Sequence, residues 1–506
     1  MIQYTTPELN MQVHMQNIYD LFIFSIVNPP CNHLPFVIHF FSVCNICDFF
    51  IRRCSMASAS KDLTTGSPAK LILNFALPMM LGSVFQQLYT ITDAAIVGQF
   101  VGVEALAAVG AADWFNWLVL GIIVGFAQGF SIIPAQRFGA KRMDAMRKSA
   151  AAGILLTGVL GVLLTAVSLP LIRPILRLMD TEASIFADAA AYLTILFSGI
   201  VVVAGYNIFS SLLRSMGNSR DPLIAMIIGA VVNIALDLLF VVVFHWGVAG
   251  AAFATVIGQS CALLYSLFRL LREKEMKFQS GDWKPEGSLI TRELALGAPM
   301  ALQNAVIGVG GMALQQVVNG FGYVFVAGFT ATNKLYGLLE LAAINFGYAV
   351  ASFSGQNLGA GQFDRVKKGV RTAAIMGVIT SIAVGVVMIV LGRWVVSAFI
   401  SAEDPVVAEQ AIGVAYDFLV TMCVPLFILY LLHIYRSALQ GMGDTVMPFV
   451  SGIFELVMRL SIAHIAPPFI GEFGLYLAEP MAWLGADLVL LPSFFHRIRR
   501  LDRQSQ

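Results

Sequence analysis

The chain has 506 residues, of which 58% are hydrophobic and 12% are charged. Typical soluble domains are about 45–50% apolar and about 25% charged, so this composition excludes an ordinary soluble domain and predicts a polytopic membrane protein. The net charge of +1 carries no basic excess that would favour nucleic acid as a partner.

The first 55 residues differ from the rest, because they hold four of the six cysteines and three of the seven histidines. Their apolar run, residues 34–50, is shorter than the ~20 residues that a span needs, and no cleavage site follows a basic start. Cys44 and Cys47 have the spacing of a metal knuckle, which is a weak signal when it stands alone. We therefore expect no metal site here, and instead either disorder or a true start at Met56, where a polar segment leads into the first span.

From Leu71 onward, apolar segments long enough to cross a ~30 Å hydrocarbon core recur with short polar breaks between them. We predict twelve spans, at residues 71–97, 105–134, 149–172, 187–213, 222–244, 248–271, 293–318, 323–353, 370–396, 411–437, 447–466 and 473–495. The predicted fold is an all-α polytopic membrane protein with twelve transmembrane helices.

The positive charges lie mostly on one side of these spans. The loops after the even-numbered spans and the C-terminal tail carry most of the 31 lysines and arginines. The opposite side carries only Arg173, Arg177 and Arg393. The positive-inside rule therefore predicts a plasma-membrane protein with both termini in the cytoplasm.

The chain also repeats itself at a nearly constant shift of 221, 220 and 226 residues in three motifs. The aligned pairs are Phe75–Leu81 with Leu296–Leu302, Ala135–Asp144 with Gly355–Asp364, and Met216–Pro222 with Met442–Pro448. Each half has six spans, an even number, so the repeats enter the membrane in the same direction and form two parallel six-helix bundles.

This repeat gives the predicted domains. They are an N-terminal extension at 1–66, an N-lobe at 67–272, a charged cytoplasmic linker at 273–292, a C-lobe at 293–496 and a basic cytoplasmic tail at 497–506.

The fifth span contains two polar side chains, Asn233 and Asp237, which a helix places on one face because they lie four residues apart. An ionisable group at membrane depth is costly and indicates a functional site by default. The alternative is an aspartate that bonds a neighbouring helix for packing alone. Thr255, one turn inside the sixth span, adds a hydroxyl group.

The first span carries a polar stripe of Gln86, Thr90 and Asp93 on one face. This stripe favours a cavity-facing Asp93 over an aspartate that only caps the end of the span near water. Pro78 lies inside the same span and is expected to bend it, although proline is also tolerated in spanning helices for packing.

Carboxylate, amide and hydroxyl oxygens are hard ligands that suit a sodium ion or a shared proton. The interiors of spans 1, 5 and 6 contain no lysine or arginine that would neutralise Asp93 and Asp237, because Arg269 lies at the loop end of span 6. Two unpaired carboxylates in a low-dielectric site cannot both ionise cheaply, so we expect one to hold a proton or a cation near neutral pH. The charge of the site would then bias which side of the cavity is open.

Several motifs resemble the multidrug and toxic compound extrusion (MATE) transporters over about residues 67–500. They are ALPMML at 76–81, TDAAIVGQF at 92–100, the QRFGA and QNLGA loops, RSMGN at 214–218 and VAGAAFATVIGQ at 248–259. The resemblance implies a V-shaped pair of bundles that exports drugs or metabolites in exchange for an inward cation. It also implies that Asp93, Asn233, Asp237 and Thr255 form the cation site.

The second half contains intramembrane charges of its own. Glu455 and Arg459 are four residues apart and are predicted to form a structural ion pair. One MATE subgroup keeps a glutamate in the seventh span, whereas Leu302–Gly311 of this chain offers only Gln303 and Asn304, so a second cation site is doubtful. The residues predicted to line the cavity in this half are Gln303, Asn304, Lys334, Glu340 and Asp417.

The sequence therefore predicts a monomeric cation antiporter, driven by H⁺ or Na⁺, that exports drugs or amphipathic, often cationic, small molecules by alternating access. A lipid-linked oligosaccharide or peptidoglycan-precursor flippase is the alternative, but it would be expected to have more basic residues in its cavity. A membrane-embedded enzyme is disfavoured, because the histidines after residue 55 are scattered and no GxxxxGK[ST] loop is present. No cofactor is expected beyond the coupling ion, and the expected partners are the lipid bilayer and small molecules.

Overall fold

The computed structural model describes residues 61–179, 181–397, 400 and 405–505, and this part of the chain is helical with no β-strand. The cysteine pair and Met56 discussed above lie outside the described residues. The helices are α1 (Pro68–Phe100), α2 (Val103–Gly139), α3 (Met143–Leu178), α4 (Ala183–Ser198), α5 (Ile200–Ser215), α6 (Arg220–Asp237), α7 (Gly247–Arg272), α8 (Gly287–Asn319), α9 (Tyr323–Gly359), α10 (Phe363–Ser397), α11 (Pro405–Cys423), α12 (Leu426–Gly441), α13 (Val446–Ile465), α14 (Pro467–Ile470), α15 (Phe473–Tyr476) and α16 (Ala478–Ser505).

Eleven helices of the described chain are long and apolar enough to cross a membrane, and the bent pair α4–α5 makes a twelfth span. The prediction of twelve spans is therefore confirmed. Each span is helical because a helix satisfies its own backbone hydrogen-bonding groups in lipid. Three spans are less regular than predicted. The fourth bends by 48° at Gly199, the tenth breaks between α11 and α12, and the fifth continues past α6 as a short π-helix, Leu238–Val243.

The backbone repeats as the sequence does, which confirms two parallel repeats. Helices α2 and α9 both have 37 residues. Gly217 and Gly443, at equivalent places after α5 and α12, have φ angles of 80° and 81°. These angles lie in the left-handed region, which glycine adopts without the steric cost that a side chain would add.

The two lobes meet mainly along α2 and α8, whose backbones approach closely through small residues. A Cβ atom on Gly125 would lie 2.6 Å from the Ala301 Cα, and one on Gly129 would collide with Gly297. Helix α9 also packs against α1 and α2. The lobes therefore contact each other through only a few helices, which is the arrangement that a rocking motion needs.

Helix α1 belongs to both lobes. Its first turns pack into the C-lobe core, with Ile72, Phe75 and Met79 buried beside Phe353 and its neighbours. Its later turns pack against α6 in the N-lobe. A movement of α1 therefore changes its packing contacts with both lobes.

The QRFGA and QNLGA motifs meet each other at one end of the molecule, which we call the basic side because the charged loops lie there. The Gln136 side chain donates to the Gly441 carbonyl at 3.1 Å, and the Gln356 side chain donates to the Ser215 carbonyl at 2.8 Å. Each glutamine thus holds the end of a helix in the opposite lobe. These reciprocal bonds close the basic side.

The segment just before α1 lies across this junction. The Leu63 N–H donates to the Gln356 side chain at 2.9 Å, and the Asn357 side chain donates to the Leu63 carbonyl at 3.1 Å. Asp62 forms an ion pair with Lys141 of the N-lobe at 2.6 Å. Residues 61–64 therefore act as a strap that contacts both lobes on the closed side.

Candidate cation site

The candidate cation site lies where α6, α7 and α1 meet. Asn233 is 2% exposed and Asp237 is 0% exposed. In one amide orientation Asn233 donates to the Thr255 hydroxyl at 3.3 Å. In the opposite orientation Asn233 donates to Asp237 and accepts from the Thr255 N–H, both at 3.3 Å, and this orientation satisfies more groups. Either way the amide joins the fifth and sixth spans.

Asp93 of α1 completes the group, because it lies close enough to Asp237 for their charges to interact. One carboxylate oxygen on each residue, Oδ1, is buried without a hydrogen-bond partner. No lysine or arginine in the described chain forms an ion pair with either aspartate. Buried polar oxygens are normally satisfied, so these two oxygens mark a place for a proton or a cation.

A small cavity opens beside these residues inside the N-lobe. Asn233 and Thr255 line it together with Gln86, so the polar stripe predicted on the first span reaches the same space. Thr90 instead bonds the Gln86 carbonyl of its own helix at 3.0 Å. The remaining lining residues are Tyr89, Tyr206, Met226, Gly229, Ala230, Gln259 and Ala262. Helix α1 continues through Pro78 without a break in the helix.

Asp113 on α2 is a further acidic residue of the site that the sequence analysis missed. It is exposed, and its charge interacts with Asp93 and with Lys334 of the C-lobe. Tyr192 of α4 is buried and lies within electrostatic range of Asp93, Asp113 and Asp237. The sequence does contain the evidence for Asp113, because it is the one acidic residue inside the apolar second span. An ionisable residue at membrane depth indicates a functional site, as it does for Asp237.

The C-lobe residues predicted from sequence divide into two groups. Glu455 and Arg459 form the expected ion pair at 3.1 Å, and Glu340 bonds His433 at 3.0 Å. Two residues predicted to line the cavity lie in packed interfaces instead. Gln303 is buried and accepts from Gln440, and Asn304 donates to the Gly121 carbonyl in the contact between α8 and α2. The sequence does not predict this, because an amide can face water or a neighbouring helix equally well.

Lys334 and Asp417 are both exposed. The Lys334 charge faces Asp113 across the two lobes, whereas the Asp417 charge interacts with Tyr476 of α15. The structure thus brings together Asp93, Asn233, Asp237 and Thr255 and adds Asp113 beside them.

The MatE family profile matches residues 78–239 and 299–465, which are the two repeats. The "Probable multidrug resistance protein YpnP" of Bacillus subtilis is 34% identical over 68% of this chain and 77% of its own length. The chain belongs to the MatE family.

Solved MatE structures share the whole fold. One described as an outward-facing conformation of a multidrug resistance MATE family transporter is 25% identical, with a TM-score of 0.82, and the match covers 88% of this chain and 99% of that chain. A second Bacillus subtilis relative, "Probable multidrug resistance protein YoeA", is 26% identical over 83% of this chain and 92% of its own length.

Membership of the MatE family makes this protein a multipass membrane transporter and not an enzyme. The two Bacillus subtilis relatives are described as probable multidrug resistance proteins, which disfavours the flippase alternative. Antiport is general to MatE transporters, and the structural neighbours are single-chain MATE transporters.

Proposed function

We propose that this MatE protein exports amphipathic, often cationic, small molecules from the cytoplasm in exchange for an inward proton or sodium ion. Asp93, Asn233, Asp237 and Thr255 bind the coupling cation in this proposal. The protein alternates between states open to either side of the membrane, and cation occupancy of the N-lobe decides which state is favoured.

The observation that carries this proposal is a pair of aspartates, Asp93 and Asp237, each with a buried carboxylate oxygen and neither with a basic partner in the described chain. Asp93 and Asp237 come from different helices, interact electrostatically and each leave one oxygen unsatisfied. In a low-dielectric site such a pair is stable only with a bound positive charge, either a proton or a metal cation. Binding and release of that charge is the elementary event that a cation antiporter needs.

Helix α1 supplies a physical path from the site to the rest of the protein. It carries Asp93 at one end and packs into the C-lobe core at the other. Midway, Ser83 accepts from Asn345 of α9 at 3.0 Å. A change of charge at Asp93 therefore acts on a helix that both lobes hold, and Pro78 offers a place for that helix to bend.

The closed basic side supports an outward-facing assignment. If the basic side is cytoplasmic, as the positive-inside rule predicts, the side that is closed in this structure is the cytoplasmic one. Asp113 and Lys334, one from each lobe, then face the substrate route. Asp113 is the group we assign to attract a cationic substrate.

The test uses the purified protein in liposomes with a fluorescent cationic dye as substrate. Dye transport is measured with an imposed proton gradient and, separately, with an imposed sodium gradient. We expect one gradient to drive transport in the unaltered protein, and Asp93→Asn and Asp237→Asn to reduce it to the protein-free background. Asp188→Asn, which alters an exposed aspartate of the same lobe, is the matched control. Full gradient-driven transport in both site variants would refute the assignment.

A further inference from the structure

Positive charge is concentrated on the basic side of the C-lobe, where α10 begins and α16 ends. Lys368 and Arg371 lie in the first three turns of α10, and Arg499 and Arg503 lie in the last two turns of α16. We call these four residues the α10–α16 patch. All four are exposed, and none of them forms an ion pair within the part of the chain that the structure describes. Their charges are therefore available to a partner outside the protein.

The two helices are tied together at this patch. Lys367, next to the patch on α10, forms an ion pair with Asp502 of α16 at 2.6 Å. Ile498 and Leu501 are buried in the C-lobe core, so the last turns of α16 pack against the lobe. The α10–α16 patch is therefore a surface that packing holds in place, with basic residues on both sides of an existing ion pair.

An apolar stripe leads to the patch along each helix. Ile375 and Ile379 are exposed and follow Arg371 at intervals of four residues, so all three share one face of α10. Phe495 is also exposed and precedes Arg499 on one face of α16 by four residues. Large apolar side chains on the outside of a spanning helix face the acyl chains of lipid, whereas basic side chains at its end reach the headgroups. The patch therefore lies at headgroup depth.

The length of α10 agrees with this depth. The helix has 35 residues, which makes it about 50 Å long, and it therefore extends past a ~30 Å hydrocarbon core. Its first turns, which carry half of the patch, lie in the extending part because the exposed apolar stripe begins only at Ile375.

The duplicated fold does not require these charges. The repeat shift of 220 residues aligns Arg371 with Ala151 of α3, and it aligns Lys367 with Arg147. Arg147 forms an ion pair with Asp282 of the linker, as Lys367 does with the C-terminal helix. The docking ion pair is thus common to both lobes, whereas the guanidinium group of Arg371 is an addition of the C-lobe.

We propose that the α10–α16 patch binds the phosphate headgroup of an anionic phospholipid in the adjacent leaflet, with the acyl chains along the two apolar stripes. Guanidinium groups bind phosphate oxygens through paired hydrogen bonds, and a lysine adds a point charge. A soluble phosphate compound would satisfy the charges but would gain nothing from the stripes. This difference favours lipid as the source of the phosphate. The positive-inside rule predicts that the leaflet is the cytoplasmic one.

Lipid binding is measured by native mass spectrometry of the purified full chain in a neutral detergent. Phosphatidylglycerol and phosphatidylcholine of the same chain length are added in separate titrations. We expect phosphatidylglycerol to bind about tenfold or more tightly than phosphatidylcholine, because only the former carries a net negative charge. An equal affinity for the two lipids would overturn the proposal.

The location of the site is tested by removing its charges. Glutamine at all four positions, Lys368→Gln, Arg371→Gln, Arg499→Gln and Arg503→Gln, should weaken binding of phosphatidylglycerol about 100-fold or more, since each charge contributes about fivefold. The single variants should each weaken it about fivefold, and they carry the test if the fourfold variant does not elute as a monodisperse protein.

The matched control removes four exposed basic residues of the N-lobe, through Arg142→Gln, Lys148→Gln, Lys274→Gln and Lys277→Gln. It changes the net charge equally and should leave the affinity of the C-lobe site unchanged. Equal weakening in the two fourfold variants would show a general attraction of the basic side for anions, which would overturn the assigned site.

The source of the phosphate is tested by competition. Inorganic phosphate at the same concentration as the lipid should not displace phosphatidylglycerol, because it makes no contact with the apolar stripes. Complete displacement would show a site for free phosphate and would overturn the lipid assignment. None of these measurements involves transport, so the result is independent of the proposed antiport function.

Discussion

Addition of one methyl group at the junction of the two repeated motifs should open the basic side. A Cβ on Gly139 would collide with the Gln356 carbonyl, and one on Gly359 would collide with the Gln136 carbonyl. Both neighbours are backbone atoms within helices, so they cannot turn away as a side chain does. The clash exists only while α2 and α9 touch, so it destabilises the closed state selectively.

Insertion of an extra methyl group into a well-packed contact costs about 1–3 kcal/mol. Gly359→Ala should therefore shift the equilibrium toward the state open on the basic side by about 5- to 150-fold. The Gly139→Ala/Gly359→Ala double variant should shift it further.

The measurement is an electron–electron distance between spin labels at Arg142→Cys and Gln362→Cys, which are exposed positions on opposite lobes. The six native cysteines are replaced first. We expect a longer-distance population to increase in Gly359→Ala. Gly158→Ala is the control, because a Cβ there meets nothing within 4 Å. An unchanged distance distribution in a folded Gly359→Ala protein would refute the role of this contact in closure.

Three further outcomes follow from single contacts. Asp113→Asn should weaken transport of cationic dyes more than of neutral ones, measured as the ratio of their initial export rates, since it removes a carboxylate that faces the other lobe. Burial opposes ionisation of Asp62, but hydrogen bonds from Lys141 and Thr64 hold its pKa below the usual range. The ion pair between Asp62 and Lys141 should therefore persist at neutral pH and break only as the pH falls below about 4. The rate at which a cysteine placed at Lys61 is labelled, measured against pH, would detect this break. Glu455→Gln should cost about 3–5 kcal/mol by leaving two buried guanidiniums poorly paired, seen as a lower melting temperature than that of the unaltered protein.

Local patterns of the chain were enough to predict much of the candidate site. Asn233 and Asp237 share a helix face because of their spacing, and Thr255 follows within the next span. Asp113 was equally visible as an acidic residue in an apolar span, but its place beside Asp93 depends on how α2 packs against the rest of the N-lobe. Gln303 and Asn304 show the opposite limit, because an amide can face a cavity or a neighbouring helix equally well and only the structure places both in packed contacts.

The sequence by itself determined the membrane class, the twelve spans and the duplication. These properties depend on apolar length, the distribution of lysine and arginine, and the repeat shift, all of which are local or additive along the chain. Only the tertiary structure decided which residues meet across the lobes. The reciprocal bonds of Gln136 and Gln356, and the C-lobe network around Glu455, join helices that are far apart in sequence. Their contacts depend on how far each helix is rotated about its axis and how deep it lies in the membrane. The packing between helices determines both quantities, whereas the spacing of apolar residues along the chain does not.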